Sequence, residues 1–209
     1  MLLALIILYV VTLVYLPITE RFRNYAIIIA LQGWLLLGVA LLRLHSGDIW
    51  ELLFVVAETL VFKAVIVPRI LYSIIHRTKI NRIAASGKSQ FNALVMSVMA
   101  LAASVAVTYY IADPSMNIVF FGVALYALLS GLILITVRKR IFSHLVGFLV
   151  IENGVFLFSM AVGVEMPFLI NIAILLDILI SVLLLGIFLS KIGGTMQNMD
   201  SDKLTTLKD

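Results

Sequence analysis

The run MNIVFFGVALYALLSGLILITV, Met116 to Val137, carries no charged residue and is followed at once by Arg138-Lys139-Arg140. A helix needs about 20 apolar residues to cross the hydrocarbon of a bilayer. Lipid offers the backbone no hydrogen bonds, so such a segment must satisfy its own. Six further stretches fit the same requirement, at about 2 to 18, 25 to 43, 50 to 75, 91 to 112, 142 to 163 and 167 to 190. Together they predict an all-α, polytopic transmembrane protein of about seven helices.

Composition agrees. Of 209 residues 63% are hydrophobic and 12% charged, far from the balance of an ordinary soluble domain. With no cysteine the chain holds neither a disulfide framework nor a Cys-ligated zinc or iron–sulfur site, so any redox centre belongs to a partner. The net charge of +4 does not point to nucleic acid, because the basic residues fall at predicted helix ends. The apolar stretch Met1 to Leu16 lacks a cationic leader and a small-residue cleavage site, and reads as a retained first helix.

The loops set an orientation. Arg21 and Arg23, then His76, Arg77, Lys79, Arg82 and Lys88, then Arg138 to Arg140, and finally Lys191 fall on one side. The intervening loops hold Asp48, Asp113 and Glu165, with Arg43 the basic exception. The positive-inside rule then places the N-terminus outside and the C-terminus in the cytoplasm, as an odd helix count requires. The loop at about 76 to 90 divides the chain into a three-helix unit, 1–90, and a four-helix unit, 91–209, that ends in a short cytoplasmic tail. Pro68 inside the third helix predicts a kink near Ala64 to Pro68. The small residues Ala100, Ala102, Ala103, Ser104 and Ala106 suit the fourth helix to tight packing.

Four ionisable residues lie at depths where a charge costs roughly 3 kcal/mol on insertion scales. Asp177 and Glu152 each sit midway along an apolar run, with Asn153 beside Glu152 and Ser181 one turn after Asp177. Ser159 falls on nearly the Glu152 face. Lys63 is thirteen residues from Trp50 and twelve from Ile75, too deep to snorkel, so it needs a partner. Glu58 is five positions from Lys63, about 140° round the helix, and the two face different neighbours. Glu51 shares the Glu58 face and suits a path inward from the outer surface. Burial favours the protonated carboxyl, as a proton relay needs. Each residue also has a bland role, since a buried pair can merely fix helix register. Gln32 beside Gly33 reads as a helix-contact hydrogen bond. The three histidines lie in separate segments and give no metal or haem signal.

At these residues the sequence resembles known families. The stretch from about Arg138 onward is similar to the small K subunit of respiratory complex I and the C subunit of multisubunit cation/proton antiporters. It carries Leu145-Val-Gly147 leading to a carboxylate and Asn153, then a later helix with a central acid, Asp177. Leu149 stands where the K subunit has its first acid, and Glu152 follows close to one turn later. The whole chain resembles the E component of hydrogenase-4 and related formate hydrogenlyase membrane arms. Its matching stretches are Phe62-Lys63-Ala-Val-Ile-Val-Pro68, Ile151-Glu152-Asn153-Gly154, Asp177-Ile-Leu-Ile and Leu204-Thr-Thr-Leu207-Lys208-Asp209. Glu58 is assigned on burial alone.

The resemblance implies a subunit of the cytoplasmic membrane without redox chemistry of its own. Antiporter-like subunits would flank it, and partners would hold the [NiFe] centre and iron–sulfur clusters. Glu58, Lys63, Glu152 and Asp177 would line a proton or ion path, with Glu51, Asn153 and Ser181 as accessories. A cation/proton antiporter subunit and a structural scaffold of the membrane arm are the alternatives.

Overall fold

Two chain reversals and one proline organise what can be traced of the helices. The structure, a computed structural model, describes residues 1–19, 21–43, 56–57, 59–78, 87–111, 116–138, 141–162 and 186. Helix α1 runs Leu2–Tyr15 and tightens into a 3-10 turn at Leu16–Ile18, where Pro17 cannot extend the α-helical bonding. Thr19 closes that turn, its amide donating to the Leu16 carbonyl and its hydroxyl to the Tyr15 carbonyl. Helix α2 is Phe22–Arg43. A π-helical segment, Thr59–Ile66, leads into α3, Val67–Thr78. Helices α4, α5 and α6 are Gly87–Ile111, Ile118–Val137 and Ile141–Val162.

Where the sequence predicts a kink, the chain is π-helical up to Ile66, immediately before Val67 and Pro68. Pro68 has no amide hydrogen, and its ring crowds the carbonyl of Ala64 one turn before it. A wider turn upstream relieves that crowding and keeps the chain helical. Phe22–Leu42, Phe91–Ile111, Ile118–Val137 and Phe142–Val162 are each long and apolar enough to cross a membrane, with Leu2–Ile18 a shorter apolar helix. The predicted spans that began near residues 2, 25, 91, 116 and 142 therefore coincide with helices. The predicted span at 167 to 190 lies outside the described residues apart from position 186, and 50 to 75 is described from 56 onward except at 58.

Helix α2 is central: it packs on α1, on the π segment and α3, and on α6, while α6 packs on α5 and α5 on α4. Helix α4 shows what kind of solvent surrounds the bundle. Its inward face is Ala93, Ser97, Ala100, Ser104 and Thr108, whereas Phe91, Val98, Met99 and Val105 point out. Small and hydroxylic residues inside with large apolar ones outside is the pattern of a helix solvated by lipid. Each inward hydroxyl has a partner: Ser104 and Thr108 bond their own helix, and Ser97 shares a 2.8 Å hydrogen bond with Tyr126 of α5.

The tightest seam lies between α5 and α6, not on the alanines of α4, of which Ala102, Ala103 and Ala106 are exposed. A Cβ on Gly131 would fall 2.5 Å from the Gly147 carbonyl oxygen, and one on Gly147 would fall 2.8 Å from the Gly131 oxygen. Gly154 continues the seam against Ala124, Ala127 and Leu128. Backbones this close leave no room for a methyl group. At Gly38, by contrast, an added Cβ would meet only the flexible end of Leu5.

Gly131→Ala and Gly147→Ala are therefore expected to destabilise the protein by about 1–3 kcal/mol each, the cost of overpacking. Gly38→Ala should leave it near wild type. Thermal unfolding of the three variants in one detergent, followed by intrinsic fluorescence, checks the order.

Candidate functional site

Lys63 belongs to the π segment and Glu152 to α6, and their side chains meet in a salt bridge of 2.9 Å. Both residues are buried, Lys63 at 4% and Glu152 at 8% exposure. Glu152 is eleven residues from Ile141 and ten from Val162. At 1.5 Å per residue that is about 15 Å from either end, half the thickness of a bilayer's hydrocarbon. The ammonium also lies 4.4 Å from the centroid of the Phe156 ring, one turn along α6 from the carboxylate. A cation over an aromatic face gains attraction that does not depend on water.

The backbone brings the lysine here. Gly33 of α2 has no side chain to hold the π segment away: a Cβ there would sit 2.7 Å from the Lys63 carbonyl oxygen. Only hydrogen fits, so α2 and the π segment touch at the residue that carries the charge.

Next to the pair runs a chain of neutral hydrogen bonds across three helices. The Asn153 side-chain amide donates to the Gln32 carbonyl oxygen at 3.2 Å, and the Gln32 amide donates to the Thr12 hydroxyl at 3.0 Å. The Thr12 hydroxyl in turn donates to the Tyr9 backbone carbonyl at 2.6 Å. The sense of the chain is fixed from its far end. With its one hydrogen committed to Tyr9, Thr12 can only accept from Gln32, which turns the Gln32 oxygen toward Asn153. Gln32 is wholly buried and lies ten residues from Phe22 and eleven from Arg43, so this chain is at mid-length as well.

A second buried cation lies at the ends of α1 and α5. Arg138, one of the basic residues that the sequence places at a helix end, is only 3% exposed and donates from Nη2 to the Pro17 carbonyl at 2.6 Å. Its own carbonyl bonds His144 at 2.6 Å, and the Tyr25 phenol lies beside both its guanidinium and Ser143. This cluster joins the turn after α1 to the start of α6. His76 is exposed, as its place near a helix end suggests.

Of the residues singled out from the sequence, the structure brings together Lys63, Glu152 and Asn153. Glu51, Glu58, Asp177 and Ser181 lie outside the described residues. Gln32 makes the interhelical hydrogen bond expected of it. Ser159 does not reach Glu152; its hydroxyl donates to the Phe156 carbonyl of its own helix. Thr12, Tyr9 and Phe156 carried no signal in the sequence, being common residues of apolar helices. Gly33 beside Gln32 was the local sign that another backbone comes close. Among the described residues no three His, Asp or Glu side chains converge as metal ligands would.

Chemically the pair can exist in two forms of the same net charge, ammonium with carboxylate or amine with carboxylic acid. A change of charge nearby shifts the balance between those forms, because little water screens it.

No family model matches the chain, and no solved structure matches it. It is similar to Uncharacterized protein Rv0085 of Mycobacterium tuberculosis, 26% identical over 97 residues. The aligned region is 46% of this chain and 44% of that protein, so the chain spans less than half the length of the curated relative it matches.

Proposed function

We propose that this protein is a non-redox membrane subunit of a complex I-like, energy-converting hydrogenase of the hydrogenase-4 or formate hydrogenlyase type. Its buried charged residues form part of a proton or ion path. The observation that carries this is the Lys63–Glu152 ion pair at mid-length of the bundle. Two ions that each lose their hydration are retained at such depth chiefly where transport or coupling uses them. The motif stretches containing Lys63 and Glu152 are also two of those through which the chain resembles the hydrogenase component. Asp177 and Glu58 extend the path on this view, with Glu51, Asn153 and Ser181 as accessories. Redox centres reside in partner subunits, and antiporter-like subunits flank the chain in the cytoplasmic membrane. Seven helices carry it from an external N-terminus to a cytoplasmic C-terminus.

A scaffold role has one observation in its favour: the pair is well formed, with a second contact to Phe156, as an element of helix register would be. Removing both charges separates the two roles. Lys63→Met/Glu152→Leu replaces the pair by apolar side chains, whereas either single neutralisation removes one partner of a buried ion pair at a cost of about 3–5 kcal/mol.

The complex is to be purified through a tag on this chain, and redox turnover compared with ion translocation in vesicles. Hydrogenase subunits should co-purify. The double variant should assemble and yet translocate at least tenfold more slowly, an effect within the range assigned to positioned proton donors and acceptors. Asp177→Asn should behave alike. Translocation at the wild-type rate in the double variant would leave the pair a structural role only.

Orientation is testable because the chain has no native cysteine. Single replacements Ser46→Cys and Ser115→Cys should react with a membrane-impermeant maleimide on intact spheroplasts. Ser86→Cys and Ser201→Cys should react only after permeabilisation.

A further inference from the structure

The cluster around Arg138 holds more donors than its own members can use. The guanidinium is tied at Nη2 alone, to the Pro17 carbonyl, and its Nε and Nη1 are buried without a hydrogen-bond partner. So are the Tyr25 and Ser143 hydroxyls. These side chains converge from the end of α5 and the starts of α2 and α6. The Phe22 ring, one turn before Tyr25, packs edge-on against Phe142 at 4.7 Å, beside Ser143 in the chain. The Tyr25 phenol lies next to both the guanidinium and Ser143, close to each but not aimed for a hydrogen bond. No counter-charge is at hand: among the described residues the one acid is Glu152, at the midpoint of α6 and paired with Lys63. A buried cation left in this state is costly. The first amides of α6, themselves the positive end of a helix, add to the cost.

The place of the cluster in the bundle says what would relieve it. Arg138 follows the last residue of the apolar span Ile118–Val137, while Tyr25 and Ser143 stand in the first turns of Phe22–Leu42 and Phe142–Val162. Spans of that length end where hydrocarbon gives way to headgroups. Arg21 and Arg23, both exposed, flank Phe22 at the same level, and Lys139 and Arg140 follow Arg138 in the sequence. We propose that this cluster binds a phosphate group, with Arg138, Tyr25 and Ser143 as its donors. Phosphate oxygens only accept, their charge answers the guanidinium, and their bonds to it are charge-assisted and strong. A phospholipid headgroup brings this group to the right depth, with surface arginines to attract it. Free phosphate carries the same chemistry from solution. Room is made by parting Arg138 from Tyr25, the first held by one side-chain bond and the second by none. Bound there, the phosphate ties α2 to α6 while Nη2 keeps its hold on the turn after α1. The site stands apart from the Lys63–Glu152 pair and does not depend on the ion-path reading.

The test uses the purified full-length chain, stripped of lipid in detergent, with phosphatidylglycerol or inorganic phosphate added at matched ionic strength. Native mass spectrometry counts the bound molecules, and thermal unfolding reads their effect, since a molecule that binds the folded form raises the midpoint. Phosphatidylglycerol should bind and raise the midpoint by several degrees. A rise with phosphatidylglycerol alone assigns the site to a headgroup, and a rise with inorganic phosphate assigns it to the free anion. Tyr25→Phe/Ser143→Ala removes two donors but leaves the bond from Arg138 to Pro17, and should weaken binding about tenfold, the worth of one charge-assisted hydrogen bond. Arg138→Lys keeps the charge and loses the fork; it should weaken binding at least as much, and it serves if the double variant fails to fold. No rise with either probe in the wild type overturns the proposal. So does a rise that persists unchanged in these variants, or one that vanishes only in Arg21→Gln/Arg23→Gln, because a basic surface rather than the buried cluster then holds the phosphate.

Discussion

A hydrocarbon solvent gives apolar side chains no reason to leave it, so helices in a bilayer cohere through what lipid cannot supply. Lipid cannot enter the space between Gly131 and Gly147, and it cannot hydrogen-bond Gln32 or solvate Lys63. Nearly everything specific about this fold follows from those deficits. Where α5 and α6 meet, the glue is dispersion between backbones brought together by the lack of a Cβ. Where α1, α2 and α6 meet, it is the polar chain from Tyr9 to Asn153. Outward-facing Phe91, Val98, Met99 and Val105 contribute nothing to cohesion, since lipid receives them as readily as a protein core would.

The ion pair is governed by an opposing pair of magnitudes. Taking each ion out of water costs several kcal/mol even after relaxation, and the attraction between them returns that only with close geometry. At 2.9 Å, with an aromatic ring against the ammonium, the geometry is close. Well-packed apolar side chains would nevertheless hold the helices together as well or better. The presence of two ions where leucine and methionine would serve is the physical ground on which the proposed role in ion movement rests. The neutral strut beside it has a different character: it carries no net charge and fixes the rotation of α6, on which the facing of Glu152 depends.

Much of the fold was legible because its cause is local. Runs such as Met116 to Val137 exclude charge over a bilayer's length, and no tertiary contact is needed to recognise them. The depth of Lys63 and Glu152 was legible for the same reason. Their pairing was not, because residues 89 positions apart meet only through the crossing of α2 between them. The proline at 68 announced a disturbance, but whether a kink or a π segment relieves the crowding depends on neighbours that accept the wider turn, here Gly33. The burial of Arg138 was not legible, because its acceptor, the Pro17 carbonyl, lies 121 residues away. The alanines of α4 misled in the opposite sense: small residues permit close approach without requiring it.

Helix α6 is moored at both ends. Near one, the Asn117 amide donates to the Ala161 carbonyl at 2.9 Å; near the other, His144 is bonded to Arg138, which is itself bonded to Pro17. A rod held at two ends neither slides nor tips, and Glu152 occupies its midpoint. The π segment bearing Lys63 is moored differently, by backbone contact with Gly33, and its hydrogen bonding is already off the α-helical register. The carboxylate therefore stands on the helix tied down at both ends, and the ammonium on a segment whose turns are wider than those of an α-helix and whose place is set by the absence of a side chain at Gly33.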